Sequence, residues 1–186
     1  SLLNCYFEAI SGFTSTGFTV FENIKHIDQS LILWRSTSQW IGGLYFLFSI
    51  LLLIDIFDNN LKKSLTNYLS FNSAEILKQA GKIIIIYSLI TFGIFILLLL
   101  VNLRIFDAYN LALTIISSGG FLPVNDLNII FTSDISKFVL SLLILTSYFS
   151  LFFIYNLIFF KNRNLNYLSE DFYLLIYLLI IISLFY

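Results

Sequence analysis

Nineteen consecutive residues, Ile83 to Val101, carry no charge, and about 20 apolar residues are what a helix needs to cross a bilayer. That run constrains everything around it. Backbone polar groups in hydrocarbon must be satisfied internally, so such a chain is restricted to helices, with irregular backbone only where protein or a water-filled path covers it. Composition points the same way: 59% of residues are hydrophobic and 11% charged, against about 45–50% and about 25% in soluble domains, and mean hydropathy is +0.91. The expected fold class is an all-α polytopic membrane protein. The formal net charge of −1 comes with one cysteine, Cys5, and one histidine, His26. No basic stripe suits nucleic acid, no intrachain disulfide can form, and a histidine metal cluster is excluded.

Spanning helices are expected at Ser30 to Phe57, Ile83 to Val101 and Ile135 to Phe160, with a fourth beginning at Phe172. Two segments break this pattern. Asn4 to Phe13 and Phe106 to Ile116 are apolar but too short to span, and read as re-entrant helices. Each runs into a loop rich in hydroxyls and glycine, Thr14-Ser15-Thr16-Gly17-Phe18-Thr19 and Ser117-Ser118-Gly119-Gly120-Phe121. Such loops make poor helix, and an ordinary turn is one reading of them. The other is functional: at membrane depth, loop carbonyls can replace the hydration water of a cation. Glycine admits the positive φ that turns successive carbonyls toward one axis, and the negative end of each short helix dipole points at its loop.

The two units repeat. Placing Gly17 on Gly120, an offset of 103 residues, brings Tyr6 onto Tyr109, Ala9 onto Ala112, Ser15 onto Ser118 and Phe18 onto Phe121. Ser11 and Thr14 meet Thr114 and Ser117. Internal repetition is how many membrane transport proteins build a symmetric path. Elsewhere, Gly42-Gly43 would let another backbone approach closely, Trp34 and Trp40 suit an interfacial belt, and Ser73-Ala74-Glu75 marks a helix start.

Orientation follows from the basic residues. Lys62, Lys63, Lys78, Lys82, Lys161 and Arg163 fall on one side, and Lys25, Arg35, Arg104 and Lys137 on or near the other. The positive-inside rule places the first set in the cytoplasm, so both glycine loops are expected to face outward. The chain contains no methionine and ends at Tyr186 within an apolar run, which reads as a segment of a longer protein.

The run Phe7-Glu8-Ala9-Ile10-Ser11-Gly12-Phe13-Thr14-Ser15-Thr16-Gly17-Phe18-Thr19-Val20, with Leu33-Trp34-Arg35 and Gln39-Trp40-Ile41-Gly42-Gly43 after it, resembles the first filter and following helix of TrkH-type potassium uptake proteins, of the Trk/Ktr/HKT superfamily. Phe106-Asp107-Ala108 through Phe121 is similar to that family's second filter. The resemblance implies pseudo-repeats of helix, re-entrant pore helix and helix around one pathway, as in a potassium-channel-like transporter. Residues 1–60 would hold the pore helix, filter loop and inner helix of repeat 1, and 61–82 a cytoplasmic linker and the start of an outer helix. Residues 83–163 would be repeat 2, and 164–186 the start of repeat 3. It further implies that backbone oxygens of Thr14, Ser15, Thr16, Gly17, Ser117, Ser118, Gly119 and Gly120 coordinate potassium, the transported substrate, with no other cofactor in this chain. Also implied are a cytosolic nucleotide-binding regulatory subunit of the TrkA kind, a homodimer of complete chains, and a multi-pass location in the cell inner membrane. The sequence departs from the family at Ser15, where threonine is common, at Phe18, where a smaller residue often follows the glycine, and at Asn4, where an acid is usual.

Two charges stand out. Glu8 lies in the apolar pore-helix segment and Arg35 one turn into the next span. An uncompensated intramembrane charge is costly, so these two are expected to support the filter by pairing with each other or with its backbone; the alternative is that both snorkel to the interface. Asp107, at the start of the second short helix where a carboxylate favours the helix dipole, reads as a cap before an ion ligand. An intramembrane enzyme would need a nucleophile, base or metal set that the spans do not offer. A non-conducting assembly subunit would not need two matched loops. A sodium-preferring transporter of the same superfamily is the nearest alternative to potassium uptake.

Overall fold

The computed structural model describes residues 2–57 and 73–148 and, in the last stretch, residues 173, 175–178 and 180–181. Two compact units divide the chain, 1–147 and 148–186. Those last residues are helical and belong to the second unit; the first unit carries the loops. Its elements are α1 (Leu2–Phe13), α2 (Gln29–Phe57), α3 (Ser73–Leu100), α4 (Ile105–Ile116) and α5 (Asp134–Tyr148). Single 3-10 turns lie at Ile24–His26 and Leu127–Ile129. No strand occurs among the described residues.

Length separates the helices into two kinds. At 1.5 Å per residue, the 29 residues of α2 and 28 of α3 extend roughly 42–44 Å, whereas the 12-residue α1 and α4 reach only about 18 Å. Hydrocarbon is about 30 Å thick, so α1 and α4 end partway. Within α3, Ala80–Leu100 is the one stretch among the described residues that is long and apolar enough to cross a membrane by length and composition alone. The α2 helix reaches similar length with Arg35 and Asp55 inside it. The first part of the expected third span is described as α5, while residues 149–160 and about half of the expected fourth lie outside the described residues, as do Lys62, Lys63, Lys161 and Arg163, on which the orientation argument leans.

The core forms around α4. Ile94 and Leu98 of α3, Ala108, Leu111, Ala112 and Ile115 of α4, and Leu140 and Leu143 of α5 pack with Leu103 and Phe131 into one buried cluster. Helix α4 packs against both α2 and α3, while α1 packs against α2. This packing fixes where α4 ends and its C-terminal loop begins. The linkers after the two loops are also joined: Asn125 Oδ1 accepts from the Ile24 N–H at 2.7 Å, and Asn125 Nδ2 donates to Asn23 Oδ1 at 2.9 Å.

Trp40 does not face outward as a belt residue would. Its ring packs 5.2 Å from that of Tyr87 and its indole N–H donates to Thr91 Oγ1 at 3.0 Å, so it joins α2 to α3. Trp34 remains exposed near the head of α2.

Candidate functional site: two glycine loops on a shared helix

Helix α1 must dispose of its last carbonyls, and it does so by a left-handed turn. Ser15 adopts φ 53°, its N–H donates to Gly12 O at 3.0 Å, and the Thr16 N–H reaches back to Ser11 O at 3.1 Å. This paired arrangement is a Schellman motif, in which glycine is the usual left-handed residue. Helix α4 ends identically. Ser118 has φ 52°, with Ser118 N–H on Ile115 O at 3.1 Å and Gly119 N–H on Thr114 O at 2.9 Å. Two residues beyond each serine comes a glycine, again left-handed, Gly17 at φ 75° and Gly120 at φ 78°. Every one of these positions is related by the offset of 103.

Alternating left-handed residues keep the chain from forming regular structure, and they free its oxygens. Among the described residues, no donor meets the carbonyl oxygens of Thr14, Ser15, Thr16, Gly17, Ser117, Ser118 or Gly120. The hydroxyls look elsewhere: Thr14 Oγ1 donates to Ile10 O at 2.7 Å, Ser11 Oγ to Phe18 O at 2.6 Å and Ser117 Oγ to Leu113 O at 3.0 Å. Side chains thus brace the loops while these carbonyl oxygens meet no donor among the described residues. The loops adjoin each other. A Cβ built on Gly120 would lie 3.7 Å from Gly17 Cα, and one on Gly17 would collide with Gly119 O.

Glu8 and Arg35 form a buried ion pair, Arg35 Nε to Glu8 Oε2 at 3.1 Å, with side chains only 4% and 2% exposed respectively. Snorkelling is therefore ruled out for both. Glu8 Oε1 accepts from Thr19 Oγ1 at 2.5 Å and from the Val20 N–H at 2.7 Å, and Arg35 Nη2 donates to Thr19 Oγ1 at 2.9 Å. The guanidinium carbon also sits 4.1 Å from the centre of the Phe121 ring, a contact that offsets part of the cost of burying the cation. Together they pin the outgoing limb of the first loop to α1 and α2.

Gln39 is a residue the sequence reading did not single out. It is wholly buried; its Nε2 donates to Gly119 O, its Oε1 accepts from the Phe121 N–H at 3.2 Å, and its own carbonyl accepts from Ser15 Oγ at 3.3 Å. The available signal was a carboxamide in an otherwise apolar helix, a group that needs partners when buried. Gly119, alone among the eight proposed filter residues, is both buried and engaged through its oxygen. Further along α2, a Cβ on Gly42 would strike the backbone of Phe13, and one on Gly43 would crowd Ser117 and the Tyr87 hydroxyl. The two glycines bring α2 against the ends of both short helices. Asp107, by contrast, lies at the far end of α4 from Gly120, paired with Arg104 at 2.7 Å, where its charge suits the helix N-terminus.

No protein-family profile matches the chain. Over 140 residues, 68% of this chain, it is 33% identical to an uncharacterized cation transporter of Methanocaldococcus jannaschii. Over 44 residues, 24% of this chain, it is 43% identical to the Trk system potassium uptake protein TrkI of Halomonas elongata. Its structure superposes on 81% of its length with the potassium transporter TrkH of Vibrio parahaemolyticus at a TM-score of 0.63 and 22% identity. The chain is a homologue of Trk-type cation transporters. It spans 28% of the length of the first relative, 9% of TrkI and 30% of TrkH. The described residues of this Trk-like chain are helical and share the fold of the part of TrkH they match, and its relatives are named as transporters.

Proposed function

We propose that the full-length protein takes up potassium across the cell membrane, and that the loops 14–17 and 117–120 are two parts of its selectivity filter. The observation carrying this is the matched backbone of the two loops: left-handed Ser15 and Gly17 against left-handed Ser118 and Gly120. Seven oxygens of these adjoining loops meet no described donor. Such oxygens are the groups that replace the hydration shell of a potassium ion. The C-terminal ends of α1 and α4 add a favourable field for a cation, and inward movement gains about 2.3 kcal/mol per charge per 100 mV of membrane potential. Glu8 and Arg35 support the first loop without touching the ion. The loops would face outward, and the regulator would be a separate cytosolic nucleotide-binding subunit acting on a dimer of complete chains.

The test is potassium-limited growth and rubidium uptake by the full-length protein in cells lacking their own uptake systems. Rescue, with discrimination against sodium weakened by Gly17→Ser at unchanged protein level, is the expected result. Uptake of sodium in preference to potassium by the parent protein would move the assignment to the sodium-preferring branch. No cation flux from well-inserted protein would overturn it.

A further inference from the structure

The geometry points to Gln39 as a positioning residue that sets the direction of the Gly120 carbonyl, and through it the ion preference of the second loop; the inference rests on the filter reading above. A carboxamide presents an N–H donor group and a carbonyl acceptor side by side. Gln39 uses both on either side of Gly120. Its Nε2 holds Gly119 O, which belongs to the peptide entering Gly120, and its Oε1 holds the Phe121 N–H, which belongs to the peptide leaving it. A trans peptide is planar, with C=O and N–H pointing in opposite directions. Holding the Phe121 N–H toward α2 therefore directs the Gly120 oxygen away from α2, where no described donor meets it. Holding Gly119 O toward α2 withdraws that oxygen in turn.

Gly120 needs this constraint. Its φ of 78° lies where glycine is comfortable, but glycine is equally comfortable in many other conformations and does not hold one unaided. Among the described residues beyond its chain neighbours, only Gly17 Cα lies within 4 Å of a Cβ built there, at 3.7 Å, an ordinary contact that does not fix the conformation. The carboxamide supplies what is missing, and its fit is tight: a Cβ on Gly119 would occupy the space of the Gln39 side-chain amide. Gln39 also accepts Ser15 Oγ through its own backbone, so one residue of α2 touches both loops. The first loop has a different restraint, since Glu8 and Arg35 hold Thr19 and Val20 there.

The experiment uses full-length protein in cells lacking their own potassium uptake, reading rubidium uptake with and without competing sodium, normalised to inserted protein. Gln39→Met keeps the length and bulk of the side chain and removes both hydrogen bonds. Gln39→Glu keeps an acceptor for Phe121 and turns a carboxylate oxygen on Gly119 O. We expect Gln39→Met to lose about tenfold in discrimination against sodium, the factor corresponding to the orienting effect of about one hydrogen bond, and Gln39→Glu to lose at least as much. A role confined to helix packing would lower the amount of inserted protein and leave the ratio unchanged. Gly120→Ser is measured alongside. If it shifts the ratio and neither Gln39 variant does, this inference fails and the filter reading stands; if it too leaves the ratio unchanged, both fail. Should Gln39→Met not insert, the ratio for Gln39→Glu decides.

Discussion

The two glycine loops share a backbone and differ in nearly everything that holds it. Ser15 and Gly17 match Ser118 and Gly120 within a few degrees in φ, and the same pair of capping hydrogen bonds precedes each. Yet the first loop is tied by an ion pair between α1 and α2, while the second is tied by a carboxamide from α2, a helix distant from it in sequence. Their parent helices differ as well. Only Glu8, Ser11 and Gly12 are buried on α1, whereas Asp107, Ala108 and every residue from Asn110 to Ile115 are buried on α4. A Schellman turn followed by glycine thus defines the loop shape, and the supports are free to diverge around it.

The strongest way to break this comparison is to remove one charge of the ion pair. Arg35→Met or Glu8→Leu leaves an uncompensated buried charge, and we expect a loss of about 3–5 kcal/mol in the thermal stability of the purified full-length protein. The double variant should lose less than the sum of the two, since contacting residues are coupled; additive losses would show that the pair does not act as one. Among the described residues, no ion pair braces the second loop. Gly42→Ala comes next, because its Cβ would meet the Phe13 backbone, which cannot swing aside as a side chain can. A loss of about 1–3 kcal/mol is expected, against none for Gly93→Ala, where a Cβ meets open space.

Smaller effects sharpen the contrast between the glycines themselves. Both Gly17→Ala and Gly120→Ala introduce a left-handed alanine, at a cost of about 1–3 kcal/mol. Gly17→Ala adds a collision with Gly119 O that Gly120→Ala escapes, so it should be the more destabilising of the two. Equal losses would mean that the loops do not adjoin as described. The smallest effect has the opposite sign. Ser118→Gly relieves a left-handed non-glycine residue and should stabilise by up to about 1 kcal/mol. Ser15→Gly should stabilise less, because it gives up the contact of Ser15 Oγ with the Gln39 carbonyl.

What could be read from the residues was what depends on length and type. Two apolar segments too short to span, each followed by hydroxyls and a glycine, placed both short helices and both loops, and two lone charges in apolar surroundings had few partners except each other. What escaped depends on three dimensions. Nothing local marks Ser15 and Ser118 as left-handed, since serine resists that conformation and it is the helix end that imposes it. Gln39 was visible only as a motif letter, because its partners lie 80 and 82 positions away. Trp40 carries the amphipathic signature of a belt residue, but the same indole serves as well between two helices when a threonine hydroxyl is waiting there. Asp107 lies in the first turn as its charge suggests, but it is not the cap: Arg104 holds that position with no side-chain capping hydrogen bond, and Asp107 pairs with its guanidinium instead.

The most direct test of the central claim is anomalous diffraction from crystals of the full-length protein grown with rubidium as its monovalent cation. An anomalous peak is expected on the pathway bordered by the carbonyl oxygens of Gly17 and Gly120, lost when sodium replaces rubidium. Well-ordered loops with the same left-handed glycines and no rubidium peak between them would contradict it.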